Sequence, residues 1–208
     1  QCQQLQRNIL QWVKPDLVVI SGHGASGYAE GSKTPGWFKK CWEEFTGPIT
    51  EFNIPYVYIL GNHDAEGDLN RTEIIKLDAQ NPLSLRNITE GIPDTCNFYV
   101  PISSSRNQSE VAANIWLFDS GSVICEGHTE SWGCIEPSTL DWYDKTSKQF
   151  KEKHGTNVHH IAYYHIPIPE YVDMFNNYPT YGVPDEDINC PDVNTGLLDR
   201  IVKNGDIT

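Results

Sequence analysis

Apolar residues recur along the chain in two alternating rhythms. In residues 3–13, Leu5, Ile9, Trp12 and Val13 share one face at helical spacing, and Pro15 stops that helix. Residues 16–21 form a short unbroken apolar run, the pattern of a strand covered on both faces, and it ends in Gly22-His23-Gly24. Residues 36–46 put Trp37, Cys41 and Phe45 on one helical stripe, with Phe38 and Trp42 beside it. Residues 56–60 predict a second covered strand that runs straight into Gly61-Asn62-His63-Asp64. A helix is expected over 69–79, and the stretch 81–109, rich in Asn, Ser and Pro, reads as a long surface excursion. Residues 114–119 predict a third strand, and 137–153 a helix with Leu140, Tyr143 and Phe150 inward. Residues 158–165 predict a fourth strand, followed by Ile-Pro-Ile-Pro. A last helix over 195–203 closes at Asn204-Gly205.

Strands alternating with helices predict an α/β fold with a mainly parallel sheet. No repeat, low-complexity tract or linker interrupts the 208 residues, so residues 1–208 read as a single domain, long enough to bury one sizeable core. In open sheets of this kind, ligands sit beyond the carboxyl ends of the strands. Three of the predicted strands lead into histidine-bearing segments there.

Composition narrows the function classes. Aromatic residues at 11% argue against disorder. Fifteen Lys and Arg against 28 Asp and Glu give a net charge of −13, which disfavours nucleic-acid binding through a basic face. No run approaches ~18 apolar residues, so no membrane span is expected. The first residues lack the basic start and apolar run of a signal segment, and the chain does not begin with Met. Six cysteines contain no Cys-x-x-Cys pair. Cys125 and Cys134, flanking a short Gly-containing loop, are the expected disulfide, the alternative being buried free thiols. Sequons at Asn70, Asn87 and Asn107, together with the cysteines, point to a secreted, lumenal or vacuolar glycoprotein.

The loops after the predicted strands hold the candidate chemistry. His23, Asn62, His63 and His165 are expected on one edge of the sheet. Imidazole and oxygen donors suit zinc, manganese or iron. Adjacent residues on a turn point different ways, so the roles divide. Asn62 ligates through its carbonyl oxygen, while His63 donates a proton with Asp64 holding its ring. His23 is a further candidate ligand.

These residues resemble the calcineurin-like metallophosphoesterases, and within them the purple-acid-phosphatase-like branch. The likeness rests on residues 16–22, on Gly-Asn-His-Asp at 61–64, on Tyr-His-Ile-Pro-Ile-Pro-Glu-Tyr at 164–171 and on Asn194-Thr195-Gly196. It implies an α/β/β/α sandwich, truncated here at both ends, and a phosphatase or phosphodiesterase acting on a phosphorylated small molecule or protein. It also implies a centre of two divalent or trivalent ions (Fe, Zn or Mn) whose bridging hydroxide attacks a phosphoester. Asn62 and His165 would then be ligands of the second ion, and His63 would protonate the leaving alkoxide with Asp64 orienting it. Three departures accompany the likeness. The family's D-x-H or D-x-G motif does not precede residue 16, and its G-H-x-H motif does not follow Asn204. His23 stands where the family carries an aspartate that bridges the ions, and a neutral imidazole offers one lone pair, too few to bridge. The alternative is therefore a degenerate, non-catalytic member that binds a phosphorylated ligand or a protein partner.

Overall fold

A computed structural model describes residues 2–86, 96–125, 127–128, 131–182 and 187–207. They form two compact units, Gln1–Ile88 and Thr89–Thr208. Among the described residues no helix is long and apolar enough to cross a membrane.

The first unit runs α1 (Cys2–Val13), β1 (Val18–Ile20), α2 (Trp37–Glu51), β2 (Tyr56–Tyr58), a 3-10 turn (Asp64–Glu66) and α3 (Arg71–Asp78). β1 and β2 are parallel, Val18 opposite Tyr56 and Ile20 opposite Tyr58. Helix α1 packs on α2 and is tied to it by a forked pair, Arg7 Nε and Nη2 to the two Glu51 oxygens at 2.6 and 2.7 Å. The apolar positions that signal α1 are exposed, and Leu10 is its buried residue. In α2 the buried stripe is Phe38, Trp42, Thr46 and Ile49, one position round from the predicted one. Trp42 is its hub, stacking on Phe38 and Phe45 and lying 4.4 Å from the Tyr58 ring.

Two substitutes for ordinary helix chemistry shape α2. Its start, Gly36, carries no side chain, so the Asp68 carboxylate accepts from the Gly36 and Phe38 N–H groups at 2.6 and 2.8 Å. The predicted end at 46 is overrun because the helix continues through Pro48. Proline lacks the N–H that the Glu44 carbonyl would accept, and Gln3 Nε2 donates to that carbonyl instead at 2.9 Å. Helix α3 begins with a full capping box between Asn70 and Glu73.

Part of the predicted surface excursion is structured. Residues 83–85 hydrogen-bond to Tyr56 along β2. They are locked by Asp78, which accepts from Tyr56 Oη (2.8 Å), Ser84 Oγ (2.8 Å) and Arg86 Nε (3.0 Å). Burial, reinforced by the Asp78 carboxylate, pushes the Tyr56 hydroxyl far above its usual range. Asn87, the second sequon, lies outside the described residues.

The second unit runs β3 (Phe98–Ser103), β4 (Val111–Leu117), α4 (Pro137–His154), β5 (His159–Tyr163), α5 (Glu170–Asn177) and α6 (Leu197–Asn204). The sheet order is β3-β4-β5, antiparallel then parallel. β3 lies within the segment expected to be irregular; as an edge strand it tolerates Pro101. Among the described residues two of the three strand pairings are parallel, and the class is the expected α/β. Trp116, Phe118, Ile135, Leu140, Tyr143 and Leu197 form the core. Cys125 and Cys134 form the expected disulfide. Gly205 (φ 62°) ends α6 as expected. Beyond it Ile207 bridges to His160 in parallel, and the buried Asp206 carboxylate accepts from Tyr143 Oη and from Ser147 Oγ.

Candidate functional site

β1 and β2 end side by side, and the ladder continues one step through Ile59 N–H to the Ile20 carbonyl (3.0 Å). Past that step the two loops are stapled by Asp64, whose side chain is wholly buried. Its Oδ2 accepts from the Gly61 and His23 N–H groups at 2.6 and 3.0 Å, and its Oδ1 from Ala25 N–H at 3.1 Å. A carboxylate is acceptor-only, so three converging backbone donors suit it. Reaching this arrangement takes His23 to a left-handed φ of 55°, a region where His, Asn and Asp are enriched among non-glycine residues.

That backbone brings the His23 ring to Asn62, with Nε2 and Oδ1 2.8 Å apart. Asn62 is buried. His63 follows, its ring centroid 5.2 Å from that of His23 and 4.9 Å from that of Tyr28. Its Nδ1 lies 2.8 Å from Glu66 Oε1. Among the described residues, His63 Nε2 has no hydrogen-bond partner.

The expected pairing of His63 with Asp64 is therefore corrected: the ring's partner is Glu66. The cause is local. Residues 64–66 are a 3-10 turn with His63 as its N-cap, and in that geometry side chains three apart eclipse. Residue 66 returns to the side of residue 63, while residue 64 faces the backbone cage. The signal in the sequence was the His-x-x-Glu spacing. Tyr28, 79% exposed and lying over His63, carried no signal of its own.

His23, Asn62 and His63 are thus brought together within the first unit. His165 belongs to the second unit, two residues beyond β5 and half-buried, in a turn where Ser120 Oγ accepts from Ile166 N–H at 2.9 Å. In the same unit Glu170 Oε1 accepts from Asn194 Nδ2 at 2.6 Å, joining two of the segments that carry the family likeness.

A donor pair 2.8 Å apart has the spacing of adjacent corners of an octahedron with bonds of ~2.0–2.1 Å, so His23 Nε2 and Asn62 Oδ1 fit one ion. They do not fit a bridged pair. Neither His23 nor Asn62 offers a carboxylate to share between two ions, and both Asp64 oxygens are taken by backbone N–H groups. Among the described residues, the one trio of His, Cys, Asp or Glu donors that converges is Cys125, Cys134 and Glu136, and its two sulfurs are spent in the disulfide.

The family model for calcineurin-like phosphoesterases matches residues 2–189. The chain is 28% identical to probable inactive purple acid phosphatase 14 of Arabidopsis thaliana, over 98% of this chain and 54% of that protein. It is 28% identical to probable inactive purple acid phosphatase 29 of the same plant, over 93% and 52%. It is 26% identical to phosphatase DCR2 of Saccharomyces cerevisiae, over 94% and 35%. The chain spans about half the length of the plant relatives it matches.

Proposed function

Since this chain belongs to the calcineurin-like phosphoesterase family, we propose that it carries part of the active site of a metal-dependent phosphoester hydrolase. The carrying observation is the 2.8 Å approach of His23 Nε2 and Asn62 Oδ1, with the His63 ring beside them. A divalent ion bound there would supply positive charge to a phosphoryl oxygen. His63 delivers a proton from Nε2 to the departing oxygen, and Asn62 fixes the edge at which the phosphoryl group sits. The family likeness adds His165 as a further ligand, and ions such as Zn, Mn or Fe. The substrate is a phosphorylated small molecule or protein, and the compartment is the secretory lumen or beyond. The sequons at Asn70 and Asn107 and the Cys125–Cys134 bridge support that compartment.

Calorimetric titration of the chain with Zn²⁺ or Mn²⁺ tests this reading. One ion should bind weakly per chain, and Asn62→Ala should abolish it. Hydrolysis of p-nitrophenyl phosphate by the chain alone should be slow or undetectable, because the bridging carboxylate is replaced. Absence of binding, or binding untouched by Asn62→Ala, would remove the metal site from this position. Fast, chelator-sensitive turnover by the chain alone would show that other residues make it.

A second reading is a non-catalytic member that binds a phosphorylated ligand. It is favoured by His23 in place of the carboxylate, since the same 2.8 Å contact is also an ordinary hydrogen bond with the proton on Nε2. Two relatives named as probable inactive phosphatases point the same way. Under this reading inorganic phosphate binds without metal, and no metal stoichiometry is found.

A further inference from the structure

We propose that Glu66 is the positioning residue for His63, holding the proton of the neutral imidazole on Nδ1 and so presenting Nε2 as the reactive atom. Its kinetic consequence rests on His63 being the proton donor, as set out above; the pairing itself does not.

Three observations converge on it. Glu66 Oε1 lies 2.8 Å from His63 Nδ1, and the pair is only partly exposed, the side chains being 22% and 33% accessible. The 3-10 turn brings the two together by its period, with no reliance on a flexible loop. Glu66 is also pinned from the other side. A methyl group added at Gly27 would lie 2.2 Å from Glu66 Cβ and 2.5 Å from its carbonyl carbon, so the loop after β1 rests directly on this residue. Gly27 is in turn held by Ser32 Oγ, which donates to its carbonyl at 2.7 Å. The next residue, Tyr28, lies over one side of the His63 ring, and His23 is the ring's other aromatic neighbour.

The chemistry follows from imidazole having two unlike nitrogens. A carboxylate is acceptor-only, so the neutral ring must place its proton on Nδ1 to satisfy Glu66. Nε2 then carries the lone pair. When a further proton is taken up, it resides on Nε2, where it can be passed to an oxygen. Asp64 cannot perform this service, because its oxygens are occupied by the two loops.

Ring ¹⁵N shifts of His63, recorded on this chain where the imidazole is neutral, read the proton's position directly. The native chain should show the Nδ1–H form. Glu66→Gln keeps an oxygen acceptor and should retain it. Glu66→Ala should move the ring toward the Nε2–H form that a free imidazole favours. Gly27→Ala, which displaces Glu66 without touching its chemistry, should do the same. Backbone amide spectra establish that each variant is folded. In any form of the protein that hydrolyses an alkyl phosphate, Glu66→Ala should lower kcat by roughly tenfold with KM unchanged, and Glu66→Gln by less. An Nε2–H ring in the native chain, or a ring indifferent to Glu66→Ala, overturns the proposal. If the ring responds but no His63 or Glu66 variant changes hydrolysis, the pairing stands and the role of His63 as proton donor falls. If His63→Ala abolishes alkyl-phosphate hydrolysis and Glu66→Ala changes nothing, the hydrolase reading stands and this proposal falls.

Discussion

His23 occupies a left-handed backbone that costs a non-glycine residue roughly 1–2 kcal/mol. Asp tolerates that region about as well as His, so His23→Asp should leave stability within roughly 0.5 kcal/mol. It also places a two-oxygen donor beside Asn62, and divalent-ion affinity measured by calorimetry should rise at least tenfold. Unchanged affinity would place the bridging position elsewhere. Asp64 is the less forgiving neighbour. Asp64→Asn turns an amide NH₂ toward backbone donors, and urea unfolding should show a loss of roughly 3 kcal/mol. His160 gives a pH signature. Trp116 Nε1 donates to its Nδ1 at 2.9 Å, which requires that nitrogen unprotonated, and burial lowers its pKa against the opposing pull of Asp206. As pH falls below ~6.5 the unfolded chain binds a proton that the folded chain resists, so stability declines there and this contribution is flat above pH 7. Replacing His160 by Gln should reduce the slope of urea-derived stability between about pH 5 and 7. At this scale the sequence named the histidines but not their partners. Adjacency pointed to Asp64, and only the turn geometry reveals Glu66.

Helices were legible from their apolar period, yet their inward faces were not. In α2 a register one position off follows from Trp42, whose ring fills the space beside Tyr58 and so sets which stripe is buried. The reach of α2 through Pro48 was hidden because the relief comes from Gln3, 41 residues away from the Glu44 carbonyl it serves. β3 was hidden by Pro101 and its polar flanks, which mimic a loop unless the strand is known to be at an edge. Asp78 in α3 ties the segment 83–86 through Arg86, a pair almost wholly removed from water. Asp78→Ala leaves the Arg86 charge buried and uncompensated, and should cost about 3–5 kcal/mol in urea unfolding. A loss below 1 kcal/mol would mean that the segment 83–86 is not held by this pair.

The alternation of apolar runs was enough to place the chain among α/β folds, because covered parallel strands and amphipathic helices have unlike periods. The division into two units was not, since no compositional break marks their boundary. Of the site, the two strand-end loops were readable from position alone. A net charge of −13 acts on the molecule as a whole. Raising salt from about 10 mM to about 150 mM shortens the screening length from roughly 30 to 8 Å and relieves self-repulsion in the folded state. The thermal midpoint at pH 7 should therefore rise with added NaCl, and a fall would show that attractive pairs such as Arg200 with Asp144 outweigh the surplus.

Asp206 also sets a clock. Tyr143 and Ser147 bury hydroxyls whose acceptor is encoded 63 and 59 residues later. At synthesis rates of roughly 5–20 residues per second, α4 emerges about 3–13 s before that acceptor exists. During this interval that acceptor is missing, so seating the helix would bury both hydroxyls without it, at the cost of an unmet hydrogen bond. The first unit has no such debt to the end of the chain, because Asp64 and Asp78 find all their named partners within the first 86 residues. On the ribosome the second unit therefore completes the pairing of its buried hydroxyls only once residue 206 has emerged.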